Sequence, residues 1–169
     1  MIDIIKIKKN KMHLNTKNVF TPAKNLARFV KKRKEHIGLA PDDISFKGEK
    51  KMDEVVLRLV DYNSENLEEK VIERVDTILS HQKKPTVTWF NIDGLHESEI
   101  IEQIGESFDF DKLVLAEVMD TNSRPKVHDF GDCILLSIKM LQQNEENHLI
   151  SVENLSLVLT ESVLLSFQE

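Results

Sequence analysis

WFNIDGLHESEIIEQIGESFDFDKLVLAEVMDTNSRPKV, Trp89 to Val127, carries the most specific pattern in the chain. Trp89 to Asp93 reads as a strand, Gly94 as a turn, Glu97 to Phe108 as a helix and Asp111 to Met119 as a second helix. Ile100, Ile101, Ile104 and Phe108 recur at helical spacing, so one side of the first helix is built for burial. Val114, Leu115, Val118 and Met119 do the same for the second, leaving Glu117 and Asp120 one turn apart on an opposite, solvated face. Pro125 then fixes a turn, and Arg124 beside it is expected to pair with a nearby acid.

Downstream the apolar period changes from helical to two. Val127 to Phe130 reads as a short strand and Cys133 to Leu141 as a long one, with Ile134, Leu136, Ile138 and Met140 on one face. Gln142 to His148 turns the chain, and Val152 to Thr160 returns with Leu155, Leu157 and Leu159 expected inward. A turn at Glu161 and Ser162 leads to a last strand, Val163 to Gln168. These strands make an antiparallel meander.

Upstream, Ile44 to Lys47 and Val55 to Tyr62 read as a hairpin around the polar turn Gly48 to Asp53. Ser64 is the expected cap of a helix bearing Leu67, Val71, Ile72, Val75, Ile78 and Leu79 at helical spacing, ended by Lys83, Lys84 and Pro85. Strand, helix and strand in succession predict a parallel crossover. The fold class expected is therefore α/β, a three-layer α/β/α arrangement with a mixed, partly antiparallel central sheet, over residues 39–169. Thr21 followed by Pro22 opens an amphipathic helix over 21–38, with Ala23, Leu26, Phe29 and Val30 as its stripe; residues 1–20 read as a basic extension.

Charge divides the chain. Residues 1–34 hold 11 Lys or Arg against one acid, whereas 35–169 hold 12 against 28. An acidic body repels the phosphate backbone and gathers cations, so nucleic acid is not an expected partner. No window reaches the roughly 20 apolar residues of a spanning helix, and the N-terminus has no secretory h-region. The one cysteine, Cys133, excludes an internal disulfide and reads as a small core residue.

Enzymatic chemistry finds little support. There is no Gly-x-Ser-x-Gly elbow and no Gly-rich loop opening a helix, so neither a nucleophile nor a nucleotide or other small-molecule substrate is expected. The six histidines form no pair at zinc-ligand spacing, and His128, Asp129 and Asp132 read as turn chemistry. Glu117 and Asp120 are the candidate metal residues: a hard cation such as Mg²⁺ is commonly held by one or two carboxylates with water completing its shell.

Several ordered motifs together carry a family resemblance. W-F-N-I-D-G-L-H at 89–96, L-V-L-A-E-V-M-D at 113–120, R-P-K at 124–126, S-I-K-M-L at 137–141 and L-T-E-S-V-L-L-S-F-Q-E at 159–169 are similar to the cytoplasmic N-terminal domain of CorA-type magnesium and cobalt transporters. The resemblance runs from about Gly38 to Glu169. It implies a homopentamer at the cytoplasmic face of the cell membrane, anchored through a part that would follow this chain. It also implies weak regulatory Mg²⁺ sites at subunit interfaces, with Co²⁺ a second ion, and a metal role for Glu117 and Asp120. Ala116 and Glu117 stand where the family commonly has adjacent Glu and Asp, and Asp120 where it often has Asn. A zinc-transporting relative, or a soluble interaction module using the 21–38 helix for docking, are the alternatives.

Overall fold

The computed structural model describes residues 40–81 and 85–169. The basic extension, the 21–38 helix and the Lys83-Lys84 stop lie outside the described residues. Seven strands, β1 (Val56–Tyr62), β2 (Leu67–Ile72), β3 (Val87–Asp93), β4 (Lys126–Asp129), β5 (Ile134–Gln143), β6 (Ile150–Leu159) and β7 (Val163–Gln168), form one sheet in the order β2-β1-β3-β7-β6-β5-β4. Every pairing is antiparallel except β3 with β7, so the sheet is mixed, as expected of the α/β class. Three helices accompany it among the described residues: α1 (Asp76–Leu79), α2 (Ser98–Phe108) and α3 (Lys112–Val118).

Register decides which side is buried. Leu59 faces Phe90, Phe90 faces Leu165, and Leu165 faces Val158, so these fully enclosed side chains share one surface. Ile101 and Ile104 of α2 and Val114, Val118 and Met119 beside them join the same core. Each such apolar side chain taken from water contributes on the order of 1.5 to 3 kcal/mol. The opposite surface is different: Trp89 is 40% exposed, Leu159 51%, Val127 70% and Val71 68%. Among the described residues the helices pack on one face of the sheet only.

The upstream expectations fail in an instructive way. Leu67–Ile72 is a strand, not the helix anticipated from Ser64. Asn63, rather than Ser64, organises the entry: its Oδ1 accepts the N–H groups of Glu65 and Asn66 at 2.9 and 2.8 Å, and its own N–H donates to Asn66 O at 2.9 Å. That closes a hairpin, and β2 satisfies the free edge of β1, a tertiary demand that overrides local periodicity. Only the four-residue α1 remains helical there. Consequently there is no parallel crossover between β1 and β3, which pair antiparallel; the parallel contact is made by β7.

Ile44 to Lys47 likewise does not pair with β1. Lys47 instead bridges to Asp120: its N–H donates to Met119 O at 2.9 Å and its carbonyl accepts from Thr121 N at 3.2 Å. Along β6 it is Asn154, Ser156 and Val158 that point inward, while Leu155 and Leu157 are half-buried on the opposite side and Leu159 is exposed. Among the described residues no helix is long and apolar enough to cross a membrane.

Candidate functional site

The second helix of the quoted stretch is set by its two ends. Asp111 caps it by accepting the Leu113 N–H at 2.7 Å. Gly105 in α2 allows the two helices to touch, because a Cβ at that position would overlap the Leu115 side chain. At the far end, Lys47 O is held by Thr121 N and by Asn122 Nδ2 at 2.9 Å. With Val114, Leu115, Ala116 and Val118 all buried, Glu117 is the position of the second turn left at the margin of the core.

Glu117 is not on a solvated face. Its side chain is 24% exposed, and its Oε1 accepts from Lys126 Nζ at 2.9 Å, with His128 Nδ1 at 3.8 Å. Lys126 faces Ser137 and His128 faces Leu135, so both project from β4 to the helix-bearing side of the sheet. The second oxygen, Oε2, is enclosed and has no hydrogen-bond partner. Such an oxygen has lost its water without replacement, a cost of about 1 to 3 kcal/mol.

Asp120 turns elsewhere. Its Oδ1 accepts Asn122 N–H at 2.9 Å in a tight local turn, and its charge lies near Lys139. Lys139 donates to Thr121 O at 3.0 Å and Asn154 Oδ1 at 2.9 Å. Burial pulls the Lys139 ammonium below its ordinary pKa, and Asp120 offsets part of that shift. The structure thus places Glu117 against β4 and Asp120 toward β5, each with its own cation. Arg124, expected to hold an acid, is exposed and makes no ion pair among the described residues; Lys126 takes that role.

Lys126 was the residue that spacing could have found. Pro125 reverses the chain, and the period of two then puts Lys126 and His128 on one side, facing back toward the helix just completed. His128 also stacks on Phe130, with ring centroids 4.1 Å apart. Cys133 is buried as anticipated; burial, then Asp132 and Asp129, push its thiol up, away from reactivity.

A second carboxylate, Glu169, was not anticipated. It is almost enclosed, and accepts N–H bonds from Lys51 at 2.9 Å, from Met52 and from Leu95, with His96 Nδ1 at 3.3 Å. Burial pushes its pKa up, but the three main-chain donors and His96 outweigh that and hold the carboxyl below its ordinary value. Gly94, at φ +94°, makes the turn that brings Leu95 and His96 to it.

Carboxylate oxygen is the donor type that Mg²⁺ takes; of the two Glu117 oxygens, Oε2 is enclosed and Oε1 is held by Lys126. Among the described residues no three His, Cys, Asp or Glu converge as a metal cage.

The family model described as "CorA-like Mg2+ transporter protein" matches residues 84–169. A curated relative, the "Cobalt/magnesium transport protein CorA" of Thermotoga maritima, is 30% identical over 132 residues, covering 78% of this chain and 37% of the relative. The full-length CmaX protein superposes with a TM-score of 0.53 at 15% identity, over 71% of this chain and 36% of that one, a likeness of fold. The chain thus spans little more than a third of the length of these relatives.

Proposed function

Because the chain belongs to the CorA family of Mg²⁺ transporter proteins, we propose that it is the metal-sensing, regulatory domain of a divalent-cation transporter that moves Mg²⁺ and Co²⁺. It acts at the cytoplasmic face of the membrane, as one of five copies, and gates the pore through weak Mg²⁺ sites between subunits. The observation that supports this reading is Glu117: an acid on the helix margin, partly exposed, whose Oε1 is held by side chains alone, Lys126 at 2.9 Å and His128 at 3.8 Å.

In this reading Glu117 presents its carboxylate to a neighbouring copy, and Asp120, one turn on and directed toward β5, adds a second, separate acid. A doubly charged ion between two such surfaces offsets their repulsion. The acidic body, 28 acids against 12 bases over residues 35–169, makes that repulsion felt when the ion is lost, and the copies splay. Weak sites suffice. A dissociation constant near ~1 mM corresponds to about −4 kcal/mol. Switching a two-state equilibrium from 1:99 to 99:1 needs about 5.5 kcal/mol of differential binding, which several interface sites reach together and one does not.

The isolated chain should accordingly bind Mg²⁺ feebly. Titration calorimetry with MgCl₂ is expected to give millimolar or weaker affinity for the single chain and tighter binding in the assembled protein, both reduced by Glu117→Ala. Micromolar affinity in a monomer, indifferent to Glu117→Ala, would refute the interface reading.

A further inference from the structure

The cation already on Glu117 is a lysine, and its position has consequences for any ion that arrives later. Lys126 Nζ sits 2.9 Å from Oε1, while Oε2 is enclosed. The oxygen facing inward is out of reach from solvent, so the one open to a hydrated ion is the one Lys126 holds. His128 Nδ1 stands 3.8 Å from that same oxygen, on the same side of β4. Nothing else among the described residues forms an ion pair with Glu117.

We propose that Lys126 is a built-in competitor for the Glu117 carboxylate, an internal counter-ion that must swing away before a divalent cation can use this position. The inference rests on the metal-binding reading of Glu117 above and adds its regulation. Its backbone is fixed, since Lys126 pairs with Ser137 in the β4–β5 ladder and follows the Pro125 turn. The side chain is not: it is 35% exposed, and a lysine ammonium is a point charge on a flexible stem, without the bidentate grip of a guanidinium. A partly exposed ion pair of this kind contributes only modestly. That is enough to raise the concentration of ion needed to fill the site severalfold, and too little to exclude it. A site so held discriminates by charge: a monovalent ion gains little by replacing an ammonium of equal charge, whereas a divalent ion brings twice the charge to the same carboxylate.

The experiment is calorimetric titration of MgCl₂ into the full-length protein for wild type, Lys126→Gln, Lys126→Arg, Glu117→Gln and the double variant Lys126→Gln/Glu117→Gln. Lys126→Gln should tighten binding about fivefold, about 1 kcal/mol, while Lys126→Arg should bind no more tightly than wild type. Glu117→Gln should weaken binding, and the double variant should lose the fivefold gain. If Glu117→Gln weakens binding but Lys126→Gln leaves it at the wild-type value, competition is overturned and the metal reading of Glu117 stands. If Glu117→Gln changes nothing, both fall together. Should Lys126→Gln fail to fold, Lys126→Met in the same titration carries the same expectation, and a wild-type affinity there overturns the proposal equally.

Discussion

Glu169 and Glu117 are both carboxylates at the margin of the same core, and they are satisfied in opposite ways. Glu169 is met by three main-chain N–H groups from two separate loops, with His96 alongside. Glu117 is met on one oxygen by side chains alone, Lys126 at 2.9 Å and His128 at 3.8 Å, and by nothing on the other. Main-chain donors cannot leave without unfolding the loops that carry them, whereas a side-chain ammonium can rotate out. A carboxylate built the first way is a structural pin; one built the second way remains open to exchange.

The largest effect that would test this contrast is on the pin. Glu169→Ala takes the acceptor from three main-chain donors, of which Leu95 N–H is buried, and unties the 48–54 loop from the turn after β3, so unfolding in urea should show a loss of about 3 kcal/mol. A loss below ~0.5 kcal/mol would erase the distinction. The pin should also respond to acid. Its folded pKa lies below the ordinary value of 4.5, so its contribution is fully present above that value and is lost as the pH falls through the lower folded pKa. Glu169→Gln should flatten that part of the stability profile below pH 4.5, measured by urea midpoints across acid buffers.

Next in size is the scaffold beneath Glu117. Gly105→Ala forces α2 away from Leu115 and should cost about 1 to 3 kcal/mol, read by thermal melting, with Mg²⁺ binding weakened as α3 shifts. Smallest is Glu117 itself. Glu117→Ala removes a half-exposed ion pair and at the same time an unsatisfied buried oxygen, opposing terms that should leave stability within about 1 kcal/mol. A loss as large as that of Glu169→Ala would make Glu117 a second pin and sink the exchange reading.

The stretch Trp89 to Val127 was legible because it is long and strongly periodic: strand, turn and two successive helices all follow from residues within a few positions of one another. Leu67–Ile72 was not. Its apolar residues fit a helical period by chance, and the edge of β1, set by Leu57 to Tyr62, decided the matter. Glu169 was invisible for a simpler reason: its partners Leu95 and Lys51 lie 74 and 118 residues away, and no local spacing reports such a meeting. Glu117 and Asp120 were found as acids one turn apart; the cation of the first, Lys126, lies within reach of the period that follows Pro125, whereas Lys139 arrives on a strand that only the sheet order brings to Asp120.

One consequence of the β5–β6 ladder concerns how it finds its alignment. Both of its sides carry leucines, so oiliness alone would tolerate a slip by one residue that turns the two sides over. What discriminates is polar: Lys139 stands opposite Asn154 and bonds to it, Ser137 stands opposite Ser156 and bonds to it, and all four lie on the helix-bearing side. A slipped hairpin would break every one of these matches and leave an ammonium unanswered. In this part of the molecule hydrophilic pairs act as the proofreaders, rejecting an arrangement that greasy side chains by themselves would accept.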